Sequence, residues 1–159
     1  MLHKKRTLQI LLVFFIPLIV GFIYGKIFLH TSSIVQGNIE YNEVLGKILA
    51  KNLMCVVILV VITFFGHILI KTFLGMNGLI AGLLISKFKS ISYLLLVLPH
   101  GIVEIPTFLF LGYVLLGAIE RNKLDFQAIK GISVSAVLIV LGALIETYVT
   151  PNIVNSVLF

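Results

Sequence analysis

Charge is what this chain has least of. Its 159 residues include six Asp and Glu and twelve Lys and Arg, together 11%, where about 25% is usual in soluble domains. So few ionised side chains do not cover a folded surface in water. With 60% apolar residues and a mean hydropathy of +1.18, the composition also argues against disorder. A soluble enzyme and an aqueous nucleic-acid binder are both disfavoured, despite the net charge of +6. Basic residues on so apolar a chain belong at helix ends, facing lipid headgroups. The single cysteine, Cys55, excludes an intrachain disulfide and a cysteine-built zinc cage. Within Met54-Cys55-Val56-Val57 it reads as a small buried filler. No G-x-x-x-x-G-K-[ST] element occurs, so the chain does not power transport by itself, and no H-E-x-x-H element is present. Repeats, low-complexity tracts and linkers are missing. The only soluble segments, 30–46 and 120–130, are too short for domains of their own.

What is present is a series of charge-free runs. Lys4-Lys5-Arg6 precedes 19 uncharged residues, Thr7–Gly25. Another 19 lie between Lys51 and Lys71, 15 between Lys71 and Lys87, and 30 between Lys89 and Glu120, the last counted with His100 and Glu104 inside it. From Gly131 onward the only charge is Glu146. A membrane-crossing helix needs roughly 20 apolar residues. The runs therefore predict an all-α polytopic bundle of about five spans in one integral membrane domain over 1–159. The spans are expected near 8–29, 48–70, 72–86, 91–119 and 131–150. The third is short, and either crosses with Lys71 and Lys87 snorkelling or is re-entrant. The first is longer than a signal-peptide core and no A-x-A-like site follows, so it reads as a retained anchor. With five crossings, seven Lys and Arg fall on the N-terminal side and five on the other, which favours a cytoplasmic N-terminus in the cell membrane.

Thirty residues exceed one straight span, since they would reach about 45 Å as a helix. A fault line is available at Leu98-Pro99-His100-Gly101, where proline removes a donor and glycine adds freedom. The fourth segment is thus expected to break at 98–101 and restart, with Pro106 in the first turns of the new helix. Glu104 would sit near that N-terminus, one turn after His100. Counted from the 120–130 connection, Glu104 and Glu146 both lie about 22 Å deep, and His100 lies level with Thr150-Pro151. No Lys or Arg is available inside these segments. The two carboxylates must share protons, pair with His100, or hold a cation. Three readings stay open for His100, Glu104 and Glu146: a polar clamp between helices, an ion, ligand or proton site, and a catalytic metal site, for instance with zinc. His67 joins such a site only if the third run is re-entrant. Asn52 and Asn77 are expected to cap or bridge helices, and Gly21-x-x-x-Gly25 and Gly78-x-x-x-Gly82 to allow close helix approach.

Asn52-Leu53, Asn77-Gly78 with Gly82, Leu98-Pro99-His100-Gly101 followed by Glu104-Ile105-Pro106, and Glu146 with Thr150-Pro151 together resemble the stage II sporulation protein M family of integral membrane proteins. The resemblance covers roughly residues 48–151, with Pro99-His100-Gly101 and Glu104 as its most specific element. Thr107 departs from the smaller residue expected after Glu104-Ile105-Pro106, and His67 belongs to no pattern of the family. The resemblance implies a small polytopic protein in a membrane complex, either scaffolding peptidoglycan-remodelling partners in sporulation or accompanying ABC transporter components in circular-bacteriocin maturation, export or self-protection. Three functions follow as expectations. The first is a membrane subunit handling a hydrophobic peptide with an ATPase partner. The second is an intramembrane metal- or carboxylate-dependent peptidase or ligase, and the third a sporulation scaffold. Lipid and other membrane subunits are expected partners, nucleic acid is not, and self-association is left open.

Overall fold

A computed structural model describes the backbone of residues 2–29, 41–87 and 94–149, and the side chains of 4–29, 45–87 and 101–149. Five helices follow one another: α1 (Leu2–Phe28), α2 (Tyr41–Thr63), α3 (His67–Ser86), α4 (Leu94–Glu120) and α5 (Phe126–Leu144), the last continued by a π-helical turn, Ile145–Val149. All five are long and apolar enough to cross a membrane. Their lipid-facing surfaces carry exposed apolar side chains such as Val57, Phe64, Phe65, Ile68 and Ile102, as expected for helices with hydrocarbon as solvent.

The closest packing joins α1 to α3. A Cβ on Gly78 would come within 2.2 Å of the Phe14 carbonyl oxygen, one on Gly82 within 2.0 Å of the Leu18 carbonyl oxygen, and one on Gly21 within 2.4 Å of the Leu79 carbonyl oxygen. The two backbones touch because each presents glycine where the other presents main chain. In lipid this matters more than in water, since helix association there relies on van der Waals packing and not on expulsion of water. At the far end Gly25 meets Ser86, another small residue, whose hydroxyl is turned back onto the Leu83 carbonyl at 2.7 Å. The paired positions rise together along both helices, so α1 and α3 run parallel. α3 is thus a full-length helix running alongside α1, long and apolar enough to cross a membrane.

The boundary between the second and third spans differs from the expectation of 48–70 and 72–86. The chain turns at Phe64–Gly66, through bonds from the Phe64, Phe65 and Gly66 N–H groups to the carbonyls three residues earlier. Gly66 adopts φ +104°, a left-handed value that glycine reaches without strain. Counting charges misses this turn because it contains none. Restarting at His67 gives α3 its full 20 residues, with half-buried Lys71 one turn inside.

The fourth segment also differs. Its backbone stays helical from Leu94 to Glu120, through Leu98-Pro99-His100-Gly101, with no interruption at 98–101. Pro99 falls in the second turn of the helix, where its missing N–H costs a single bond near the end of the span, and Pro106 is likewise absorbed. α4 is the centre of the bundle and touches each of the other four helices. Leu111 and Leu115 are fully buried against Leu59 of α2, Ile70 and Leu74 of α3, Ile10 of α1 and Ile139 of α5.

The α4–α5 connection, Arg121–Asp125, is tight. Asp125 caps α5 by accepting from the Ala128 N–H at 3.0 Å, and Arg121 donates to its carboxylate at 3.1 Å. The Ala128 bond, with Arg121 contributing less, holds the Asp125 carboxyl below its ordinary value. The cap therefore persists through ordinary carboxylate titration, and its contribution is lost only as pH falls through this lowered pKa.

The glycine contacts make a prediction. Gly78→Ala or Gly82→Ala should each lower the unfolding free energy in detergent by about 1–3 kcal/mol, because backbone is an unyielding neighbour. Gly46→Ala, where a Cβ meets nothing within 4 Å, should cause no such loss.

Candidate functional site

Glu104 is 2% exposed and Asn52 is 4% exposed. The Asn52 side-chain amide, through Nδ2, donates to Glu104 Oε1 across the α2–α4 contact. A buried carboxylate is costly without donors, so this bond fixes both the rotation of α4 and its register against α2. α5 closes over the same carboxylate. A Cβ on Gly142 would lie 3.4 Å from Glu104 Cγ and 3.2 Å from Val103 Cγ1; glycine there admits the helix at close range. Next to Asn52 on the same side of α2 is half-buried Cys55, within electrostatic reach of Glu104 and Lys51.

Glu146 lies one turn beyond Gly142, half-buried, in the π-helical turn. The expected equal depth of Glu104 and Glu146 does not hold. Gly131 packs against Val114 and Gly142 against Val103, which sets the antiparallel register of α4 and α5. That register puts Glu104 level with Leu141 and Gly142, and puts Glu146 level with Pro99 and His100. The two acids are thus staggered by about 7 Å along the pair. The depth estimate failed because it began α5 at residue 131, whereas α5 starts at Phe126. His100 is helical, one turn before Glu104 and at the level of Glu146; its side chain lies outside the described residues, as do Thr150 and Pro151. The expected levelling of His100 with Thr150-Pro151 therefore falls outside the described residues.

Other candidates sort plainly. Asn77 turns its amide back onto the Phe73 carbonyl of its own helix at 2.8 Å and bridges no helices among the described residues. Thr107 likewise bonds the Val103 carbonyl at 2.6 Å. Gly78 and Gly82 serve the α1–α3 contact. Pro106 is on the exposed side of α4, while Pro99 and Gly101 lie within its continuous helical backbone. His67 is exposed at the opposite end of the bundle and does not approach Glu104. Among the described residues no group of three or more His, Cys, Asp or Glu side chains is arranged to hold a metal ion.

Two features escaped the reading of the sequence. At the end of the bundle opposite Glu104, Arg6 of α1 is 8% exposed and ion-pairs with Glu120 at the end of α4, its Nε 3.3 Å from Oε1. Its guanidinium lies 4.9 Å from the centre of the Tyr113 ring and rests on Gly117, where a Cβ would come within 2.6 Å of Nη1. Arg6 looked like one of three flanking charges, and only its planar fork, suited to carboxylate and aromatic faces, set it apart from Lys4 and Lys5. The second feature is Thr147. It is 2% exposed, and its hydroxyl oxygen makes no hydrogen bond among the described residues. It falls within the π-helical turn, a distortion frequent at functional sites, against α2 and α4.

Residues 10–151 match the family model described as stage II sporulation protein M. No curated protein matches significantly, and no solved structure does.

Thr147→Val removes an unpartnered hydroxyl at constant shape. It should leave stability unchanged or raise it by about 1 kcal/mol in thermal unfolding of the detergent-solubilised protein. A loss of stability above that size would mean that the hydroxyl is satisfied in the native membrane.

Proposed function

The chain belongs to the stage II sporulation protein M family, and from that premise we propose that it is a membrane subunit handling a hydrophobic peptide, in bacteriocin-type maturation, export or self-protection, together with an ABC-type ATPase. Its multi-pass architecture has short connections and no sizeable soluble segment, so partners would be met within the membrane or at its surfaces. ATP hydrolysis would be supplied from outside, since the sequence has no phosphate-cradling loop. The N-terminal side, with Arg6, would face the cytoplasm, where such an ATPase works.

The observation that carries this reading is the way the polar groups are spent. Asn52 and Glu104 are closed against each other and against Gly142. Two cavities, of about 230 and 200 Å3, lie instead toward the Arg6 end, lined by residues including Tyr113 and Lys71. A carboxylate enclosed in this manner suits a helix clamp that holds a subunit in shape better than a general acid or base, which must reach its substrate. The second reading, an intramembrane peptidase or ligase using His100, Glu104 and Glu146 with or without a bound cation such as zinc, draws support from the unsatisfied Thr147 hydroxyl beside Glu146. A sporulation scaffold is the third, and gene neighbours distinguish it from the first.

The test is purification of the tagged full chain from its native membrane in mild detergent, with mass spectrometry of retained proteins. An ABC-type ATPase held at comparable stoichiometry supports the proposal; its absence from the intact membrane assembly overturns it. In the same cells Glu104→Gln should retain peptide maturation and assembly, since Gln still offers an oxygen to Asn52. Loss of maturation with normal assembly would transfer the argument to the enzyme reading.

A further inference from the structure

The cavity of about 200 Å3 between α1, α3 and α4 is lined by Gln9, His67, Lys71, Leu116, Ile119 and Glu120. Its charge does not balance internally. Glu120 is its one carboxylate, and that group is engaged by Arg6 through Nε, at 3.3 Å, and Nη2. Lys71 makes no ion pair among the described residues, although it is half-buried and one turn inside a membrane-crossing helix. An ammonium removed from water in this position needs an anion. Side chains on a helix lean toward its N-terminus, so Lys71 reaches from the hydrocarbon boundary back toward His67, at the depth of lipid headgroups.

The neighbouring groups fit one kind of anion. Gln9 offers amide donors and His67 a ring N–H, or two when protonated. The first N–H groups of α3 open at the same place, because Gly66 makes no side-chain cap. Leu116, part of the apolar core, and Ile119, packed against it, give the cavity an apolar wall on its inner side. Basic pockets between membrane helices at headgroup depth are suited to phosphate groups. We propose that this cavity binds a phosphate group at the membrane surface, with Lys71 as its counter-charge and His67 and Gln9 as donors. Glu120 lines the cavity with its carboxylate engaged by Arg6 and is not part of the anion contact. The inference stands independently of any peptide-handling role.

The experiment uses the purified full chain in a neutral maltoside detergent. Affinity is read from the rise in thermal midpoint as mixed micelles of phosphatidylglycerol or phosphatidylcholine are added. Phosphatidylglycerol should stabilise the protein and phosphatidylcholine should not. Lys71→Met should weaken the phosphatidylglycerol response about fivefold, the factor expected for one basic residue near an anionic surface. Lys71→Arg should restore it. Lys123→Met, which removes an exposed charge at the same end of the bundle, should leave it unchanged. Inorganic phosphate, compared with chloride at equal ionic strength, separates the two sources: competition identifies a free phosphate, and its absence a lipid headgroup. Equal weakening by Lys71→Met and Lys123→Met, or equal response to both lipids, overturns the proposal. Should Lys71→Met not fold, His67→Gln is read in its place against the same two results.

Discussion

A carboxylate inside a membrane bundle has to be given a donor, and in this protein the bond from Asn52 to Glu104 does so. Much of the architecture follows from that requirement. It turns one face of α4 toward α2. It is matched by a glycine on α5 at 142, where a Cβ would sit 3.4 Å from Glu104 Cγ and more tightly, 3.2 Å, against Val103 Cγ1. It also places the most polar part of the interior on one side of α4, leaving Leu111, Leu115 and Leu116 free to form the apolar centre. Without Asn52, Glu104 would lose a buried amide donor, and a buried carboxylate that loses a donor is costly in a helical membrane protein.

The remaining helices are joined by different physics. α1 and α3 meet through backbone, with glycines replacing side chains along a parallel seam, and need no polar partner there. At the Arg6 end the connection is electrostatic and aromatic: an arginine on Gly117, against Tyr113, reaching Glu120. α4 is therefore tied at one end to α1 by an ion pair and toward the other to α2 by an amide–carboxylate bond. Among the described residues, cavities of about 230 and 200 Å3 lie toward the Arg6 end, while Glu104 is enclosed by Asn52 and Gly142.

The spans were legible in the sequence because charge is excluded from hydrocarbon, and charge-free runs report that exclusion directly. Glu104 stood out for the same reason, as did the glycines of α1 and α3, whose four-residue spacing is the signature of close approach. What charge counting does not see is where a helix turns without charge. The Phe64–Gly66 turn is marked only by one glycine with positive φ, and α5 begins five residues earlier than its charge-free run because Gln127 and Lys130 are already helical. That second shift is what staggered Glu104 and Glu146. Pro99 suggested a break because proline interrupts helices in water-exposed settings, yet near a helix start it removes little. Arg6 was hidden for a simpler reason. A charge at the start of a span looks like topology, and its partner Glu120 lies far away in sequence.

The central claim is that Asn52 and Glu104 stabilise the bundle through each other. A double-mutant cycle tests it most directly: Asn52→Leu, Glu104→Leu and the double variant, with unfolding free energies measured in detergent. The account predicts a coupling of about 1 kcal/mol or more between the two sites, toward the upper range for side-chain bonds within membranes, and a double variant less damaged than the two single losses combined. Losses that add to within about 0.3 kcal/mol would show that the two residues act independently, and would contradict it.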